Sequence, residues 1–241
     1  YQDGSELDLK YARRVGAAWE VVTVDAGSDV GAFASLAADR SGRPHISYYN
    51  ATNQTVKYAG QGAAGWTIET VDTIGPLTYT ALAVDSTGAP HIAYYASSGG
   101  GGVLRYASRT AAGAWQIETA ANSSNDPGGH IALVLDAQDT PYISYYNFGS
   151  RRVEVAQRVA AGWITQTVAA TGGESHTTLA LDRDGTPLVA FYDSAAADLK
   201  FARPTGGAAD WALTTVYAAG DAGAYPSLRL DAAGRPWISF Y

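Results

Sequence analysis

Apolar and polar positions along the chain fall into short strand-like runs, and the runs recur. Apolar segments close on Asp39, Asp85, Asp136, Asp182 and Asp231, in SLAAD, ALAVD, ALVLD, LALD and LRLD. Five residues after each aspartate stands a proline, at Pro44, Pro90, Pro141, Pro187 and Pro236. Each proline opens a second run: PHISYY, PHIAYY, PYISYY, PLVAFY and PWISFY. A third run follows, as VKYA at 56–59, LRYA at 104–107, VEVA at 153–156 and LKFA at 199–202. The fourth begins at a tryptophan, and Trp19, Trp66, Trp115, Trp163 and Trp211 are spaced by 47, 49, 48 and 48 residues.

Four short strands repeating every 40–50 residues predict propeller blades. The expected fold is all-β: a five-bladed β-propeller of four-stranded antiparallel blades, forming a single domain over residues 1–241. Blade 1 is expected at about 30–72, blade 2 at about 77–121, blade 3 at about 128–169 and blade 4 at about 175–217. The fifth blade is expected to combine about 224–241 with 1–25, so that N- and C-terminal strands share one blade and close the ring. An open solenoid would carry capping repeats, and none is visible.

Local chemistry agrees with the blades. In the D-x-x-G-x-P segments aspartate accepts backbone N–H bonds, glycine takes the left-handed dihedral and proline opens a strand. Blade 3 departs, with Asp139 and Thr140 where the glycine should lie. Most of the 16 tyrosines and five of the six tryptophans are thereby expected to pack between blades. Glu20, Glu69 and Glu118 read as solvated charges on the outermost strands, useful against edge pairing.

Composition narrows the function classes. The 241 residues include no cysteine and no methionine, which excludes a disulfide framework, a zinc–thiolate site and a cysteine nucleophile. A net charge of −7 offers no basic face for nucleic acid, and no apolar run approaches the roughly 18 residues of a membrane span. The opening YQDGSELDLKYA carries no initiator Met and no signal-like stretch, and is expected to belong to a processed or excised piece. The missing sulfur side chains suit an extracellular or cell-surface location.

The pattern SLA-x-D-x-x-G-x-P-H-I-S-Y-Y…L-K-Y-A…W-x-x-x-T-V-D resembles tandem repeats of bacterial secreted and surface proteins, and the resemblance covers essentially the whole chain. It implies a propeller and is silent on activity. A looser resemblance is to the Asp-box repeats of sialidase-like propellers. This chain departs by placing Pro, without the expected Trp, after the Gly turn, so that family's arginine triad and tyrosine nucleophile are not carried over.

Candidate functional residues are those at which the blades disagree. Counting back six from each turn aspartate gives Phe33, Tyr79, His130, His176 and Tyr225, expected as a ring at the mouth of the central channel. Such a ring either seals the blade packing or recognises a ligand by stacking and hydrogen bonding. Glu174 precedes His176 by two residues, and with His130 could serve as acid and base or hold a metal, although the spacing matches no metal signature. No metal or cofactor is therefore expected. Arg229 replaces the small residues Ala37, Ala83, Val134 and Ala180, and needs a carboxylate, a carbonyl or a ligand anion.

Other features read more plainly. Arg151 and Arg152 are possible rim contacts, His45 and His91 are expected in the core, and Ser97–Gly102 forms a glycine-rich loop. Asn50, Asn53 and Asn122 begin glycosylation sequons expected in loops. The functional expectation is a non-enzymatic binding or adhesion propeller that recognises a glycan or protein at the channel mouth. A polysaccharide-active, lyase-like enzyme using His and Tyr at the same mouth, or a structural subunit of an extracellular assembly, are the alternatives.

Overall fold

The computed structural model describes residues 1–76, 79–97, 101–122, 126–206 and 210–241. Its strands are β1 (Leu9–Val15) and β2 (Ala18–Asp25), then blade 1, made of β3 (Val30–Ala38), β4 (Pro44–Asn50), β5 (Thr55–Gly62) and β6 (Gly65–Thr73). Blade 2 comprises β7 (Thr80–Val84), β8 (Pro90–Ser97), β9 (Gly102–Arg109) and β10 (Trp115–Ala121). Blade 3 comprises β11 (Pro127–Leu135), β12 (Pro141–Asn147), β13 (Arg152–Val159) and β14 (Gly162–Ala170). Blade 4 comprises β15 (Thr177–Leu181), β16 (Pro187–Asp193), β17 (Asp198–Pro204) and β18 (Trp211–Tyr217), and β19 (Ser227–Leu230) and β20 (Pro236–Ser239) follow. Each blade is a four-stranded antiparallel meander in chain order. Among the described residues no helix is long and apolar enough to cross a membrane.

The hairpin chemistry recurs five times. Asp39 Oδ1 accepts from the amides of Ser41 and Arg43 at 2.8 and 2.9 Å, and Asp231 Oδ1 from those of Ala233 and Arg235 at the same distances. Asp85, Asp136 and Asp182 do likewise. Where blade 3 lacks the glycine, Asp139 itself takes the left-handed conformation at φ 62°. Its carboxylate then accepts from the Ser86 amide and hydroxyl at 2.9 and 2.6 Å, tying blade 3 to blade 2.

The core lies between blades. Every residue of β4 and of β12 is buried. In the four complete blades the residue four after the strand-opening proline, Tyr48, Tyr94, Tyr145 or Phe191, is fully enclosed, and burying each ring contributes about 2 kcal/mol. At the outer rim the Trp115 and Trp163 indoles donate to Glu69 and Glu118 of the preceding blade, both at 3.0 Å. Arg109 and Arg158 bind the same carboxylates. Glu69 and Glu118 are therefore staples between blades, not the solvated edge charges expected; Glu20 pairs with Arg13 of its own hairpin.

The expected shared fifth blade differs in the structure. β1–β2 and β19–β20 form two separate two-stranded sheets, with no ladder between them. The reason is local. Beside β1, Tyr1 and Gln2 take the neighbouring position, with the Lys10 amide donating to the Tyr1 carbonyl at 2.8 Å and a bridge joining Gln2 to Leu9. At the other end Tyr241 pairs with Ala224 on the β19 side, as Tyr49 does with Ala32 in blade 1, and the opposite edge of β20 stays open.

Candidate binding site at the channel mouth

The five residues counted back from the turn aspartates come together at one end of the channel. Ring centroids follow the blade order: Phe33–Tyr79 5.1 Å, Tyr79–His130 4.7 Å, His130–His176 4.1 Å and His176–Tyr225 4.0 Å. They form an arc whose ends, Phe33 and Tyr225, are exposed. Together with Thr80 and Thr177 they line a solvent-open cavity of about 290 Å³. Beneath it the five inner strands surround a channel of about 600 Å³.

Backbone geometry aims three of these side chains. Phe33, His130 and Tyr225 are left-handed, at φ 52°, 47° and 51°. For non-glycine residues this costs about 1–2 kcal/mol each, a strain found at sites where a side chain has to point a particular way. In β3 and β11 the strained residue lies in a bulge, where pairing shifts between Ala32 and Ser35 and between Gly129 and Ala132. The next blade holds the bulge in place. Thr80 Oγ1 donates to the Phe33 carbonyl at 2.8 Å, and Thr177 Oγ1 to the His130 carbonyl at 3.0 Å. The same hydroxyls meet buried Ser47 and Ser144 at 2.9 Å.

The middle of the arc carries a His–Glu–His cluster. His130 Nε2 lies 2.6 Å from Glu174 Oε1. Burial pushes His176 down to about 4, with the nearby His130 adding to the effect and Glu174 opposing it, so its imidazole is neutral near pH 7. Among the described residues the buried Nδ1 of His176 has no hydrogen-bond partner. Burial also raises the Tyr79 phenol, reinforced by the Glu174 charge. Among the described residues no set of three or more His, Asp or Glu side chains is arranged to hold a metal.

The remaining candidates separate from the arc. Arg229 is exposed and lines the channel below the mouth. Among the described residues no carboxylate pairs with it, and its guanidinium donates to the Leu228 carbonyl at 2.8 Å. Arg151 caps a loop by donating to the Gly172 carbonyl at 3.1 Å. His45 and His91 are buried as expected, their Nδ1 atoms against the hydroxyls of Tyr58 and Tyr106. Asn50 is a buried strand residue, not a loop position, because its side chain accepts from the Asn53 amide and closes the turn. The expected glycine-rich loop at Ser97–Gly102 lies partly outside the described residues.

No family model and no curated protein matches the chain. Solved structures do. The fold is similar to a mutant of the Aleuria aurantia lectin in complex with alpha-methyl-L-fucoside, at 14% identity and TM-score 0.65, covering 99% of this chain and 80% of that one. A crystal structure of the Aleuria aurantia lectin, described as a six-bladed β-propeller with a novel fucose recognition mode, aligns at 12% identity and TM-score 0.61, covering 100% and 85%. A Hadza microbial sialidase aligns at 11% identity and TM-score 0.61, covering 95% of this chain and 57% of its own. At these identities the likeness carries the architecture alone: this chain has a β-propeller fold.

Proposed function

We propose that the chain is a carbohydrate-binding propeller acting outside the cell, with the arc from Phe33 to Tyr225 as its recognition surface. The observation that supports this most is the stacking of five residues, each in an inner strand or just before one, around an open cavity, three of them on strained backbone. Aromatic faces suit the apolar C–H faces of a sugar ring, while the His130–Glu174 pair and the Tyr79 phenol suit its hydroxyls. The lectin neighbours supply a consistent context for this chemistry.

A glycan array probed with the wild type and with Tyr79→Ala, His130→Ala and Tyr225→Ala tests the reading. Each variant is expected to weaken binding to the selected glycan by tenfold or more. Equal binding by all three would reject the mouth as the site.

A second reading is favoured by one feature, the neutral imidazole of His176 beside the His130–Glu174 pair, its buried Nδ1 without a hydrogen-bond partner among the described residues. It suits proton abstraction in a polysaccharide lyase, with Tyr79 as proton donor. Incubation with uronic-acid polysaccharides would then yield unsaturated products that His176→Ala abolishes.

A further inference from the structure

The half-blades come in two kinds that alternate around the ring. In blade 1, in blade 3 and in β19–β20, a glycine at positive φ (Gly31, Gly128, Gly223) precedes a left-handed ring residue by two positions. The second strand of each carries a serine, Ser47, Ser144 or Ser239. Blades 2 and 4 have Tyr79 and His176 outside the left-handed region, each followed by a threonine, and carry Ala93 and Ala190 in place of the serine. The two kinds bond to each other through the Ser47–Thr80 and Ser144–Thr177 hydroxyl pairs.

β1–β2 matches the outer half of the second kind: its third-strand run begins with Leu9, as those of blades 2 and 4 begin with Leu104 and Leu199, where blades 1 and 3 have Val56 and Val153. Lys10 bonds Thr23 and Asp8 at 2.9 and 3.4 Å, and Lys200 bonds Thr215 and Asp198 at the same distances. Gly31 packs on Leu9 as Gly223 packs on Leu199.

β19–β20 is thus an inner half of the first kind, and β1–β2 an outer half of the second. Joined as one blade, they would be mismatched. The join is also obstructed, since Tyr1 and Gln2 already lie beside β1 as Tyr192 lies beside Leu199 in blade 4. Meanwhile β20 is bare. Trp237 is 64% exposed, where the equivalent His45, His91, Tyr142 and Leu188 are 7, 9, 8 and 4% exposed.

We propose that the ring has six alternating blades, and that the open edges of β20 and of Tyr1–Gln2 are docking edges for one further repeat of this sequence pattern. That repeat supplies two outer strands of the first kind to β20 and two inner strands of the second kind to Tyr1–Gln2. Main-chain hydrogen bonds provide the attraction, and the alternating kinds set the register. It also places a sixth ring residue between Tyr225 and Phe33. The six-bladed fungal lectin shows that this architecture closes at that number.

Two measurements decide the proposal. The chain contains no cysteine, so Ala12→Cys with Ile238→Cys introduces the only thiols. These positions would face each other in a shared fifth blade, as Ile46 faces Ala59 and Ile143 faces Ala156. Both thiols are expected to stay free in the monomer under mild oxidation. In the second measurement the chain is extended after Tyr241 by a copy of residues 147–190, which has the required order of kinds. The extended protein is expected to melt at least about 5 °C higher. An intramolecular disulfide between the two introduced thiols, or an unchanged or lower Tm on extension, would overturn the proposal.

Discussion

Gly223 shows how a single position carries the geometry of the mouth. It sits at φ 117°, and a Cβ there would stand 2.8 Å from the Leu199 Cα and N, both backbone atoms that cannot step aside. Gly223→Ala therefore combines a disfavoured dihedral with overpacking, and is expected to cost about 2 kcal/mol or more in urea-denaturation stability. His176 acts through charge. Its folded-state value near 4 lies below the 6.5 of the free side chain, so between those limits the unfolded chain binds a proton that the folded one refuses. Stability is fully retained above about pH 6.5 and falls as the pH drops towards 4, by about 1 kcal/mol once screening of the half-exposed ring is allowed for. His176→Phe should show a smaller loss than the wild type between pH 7 and pH 4.5. The ring positions themselves were legible in the sequence, because a fixed count back from each turn aspartate locates them. The left-handed backbone of Phe33 and His130 was not, because a bulge held by the next blade's threonine depends on contacts about 47 residues away.

Strands and hairpins were the most readable level, because each turn is built from residues within five positions of one another. Contacts between blades were less so. The Trp–Glu staple needs a tryptophan in one blade and a carboxylate 45 or 46 residues earlier, a pairing that only the assembled ring reveals. Its energetics can be tested in both directions. Glu118→Gln removes a charge that accepts two bonds from Arg158 and one from Trp163, and should lower stability by about 1–2 kcal/mol. A double-mutant cycle with Trp163→Phe should show coupling between the two sites. The opposite case lies one blade further on. There Gln166 stands where Glu69 and Glu118 stand, and among the described residues the buried Trp211 Nε1 has no hydrogen-bond partner. Gln166→Glu should supply the acceptor and raise stability by about 0.5–1 kcal/mol, measured by the shift in the urea midpoint.

At the scale of the molecule, equal sequence does not imply equal protection. PHISYY, PYISYY and PWISFY have nearly the same strand propensity and hydrophobicity, yet β4 and β12 are wholly buried while Phe240, Trp237 and Tyr241 are exposed. The difference lies in neighbours alone: β4 and β12 each have a hydrogen-bonded strand on both sides, and β20 has only β19. In a ring of repeats each blade is stabilised chiefly by the two beside it, so opening should begin where neighbours are missing and spread inward. Native-state hydrogen exchange in the unextended chain should therefore rank β20 fastest among the five second strands and β8 and β12 slowest, with β4 and β16 between them. A uniform rate across all five would mean that the molecule opens as one cooperative unit, and that the bare edge of β20 is already covered in solution. The graded order would instead show that stability, like the arc at the mouth, is set by which blades stand side by side.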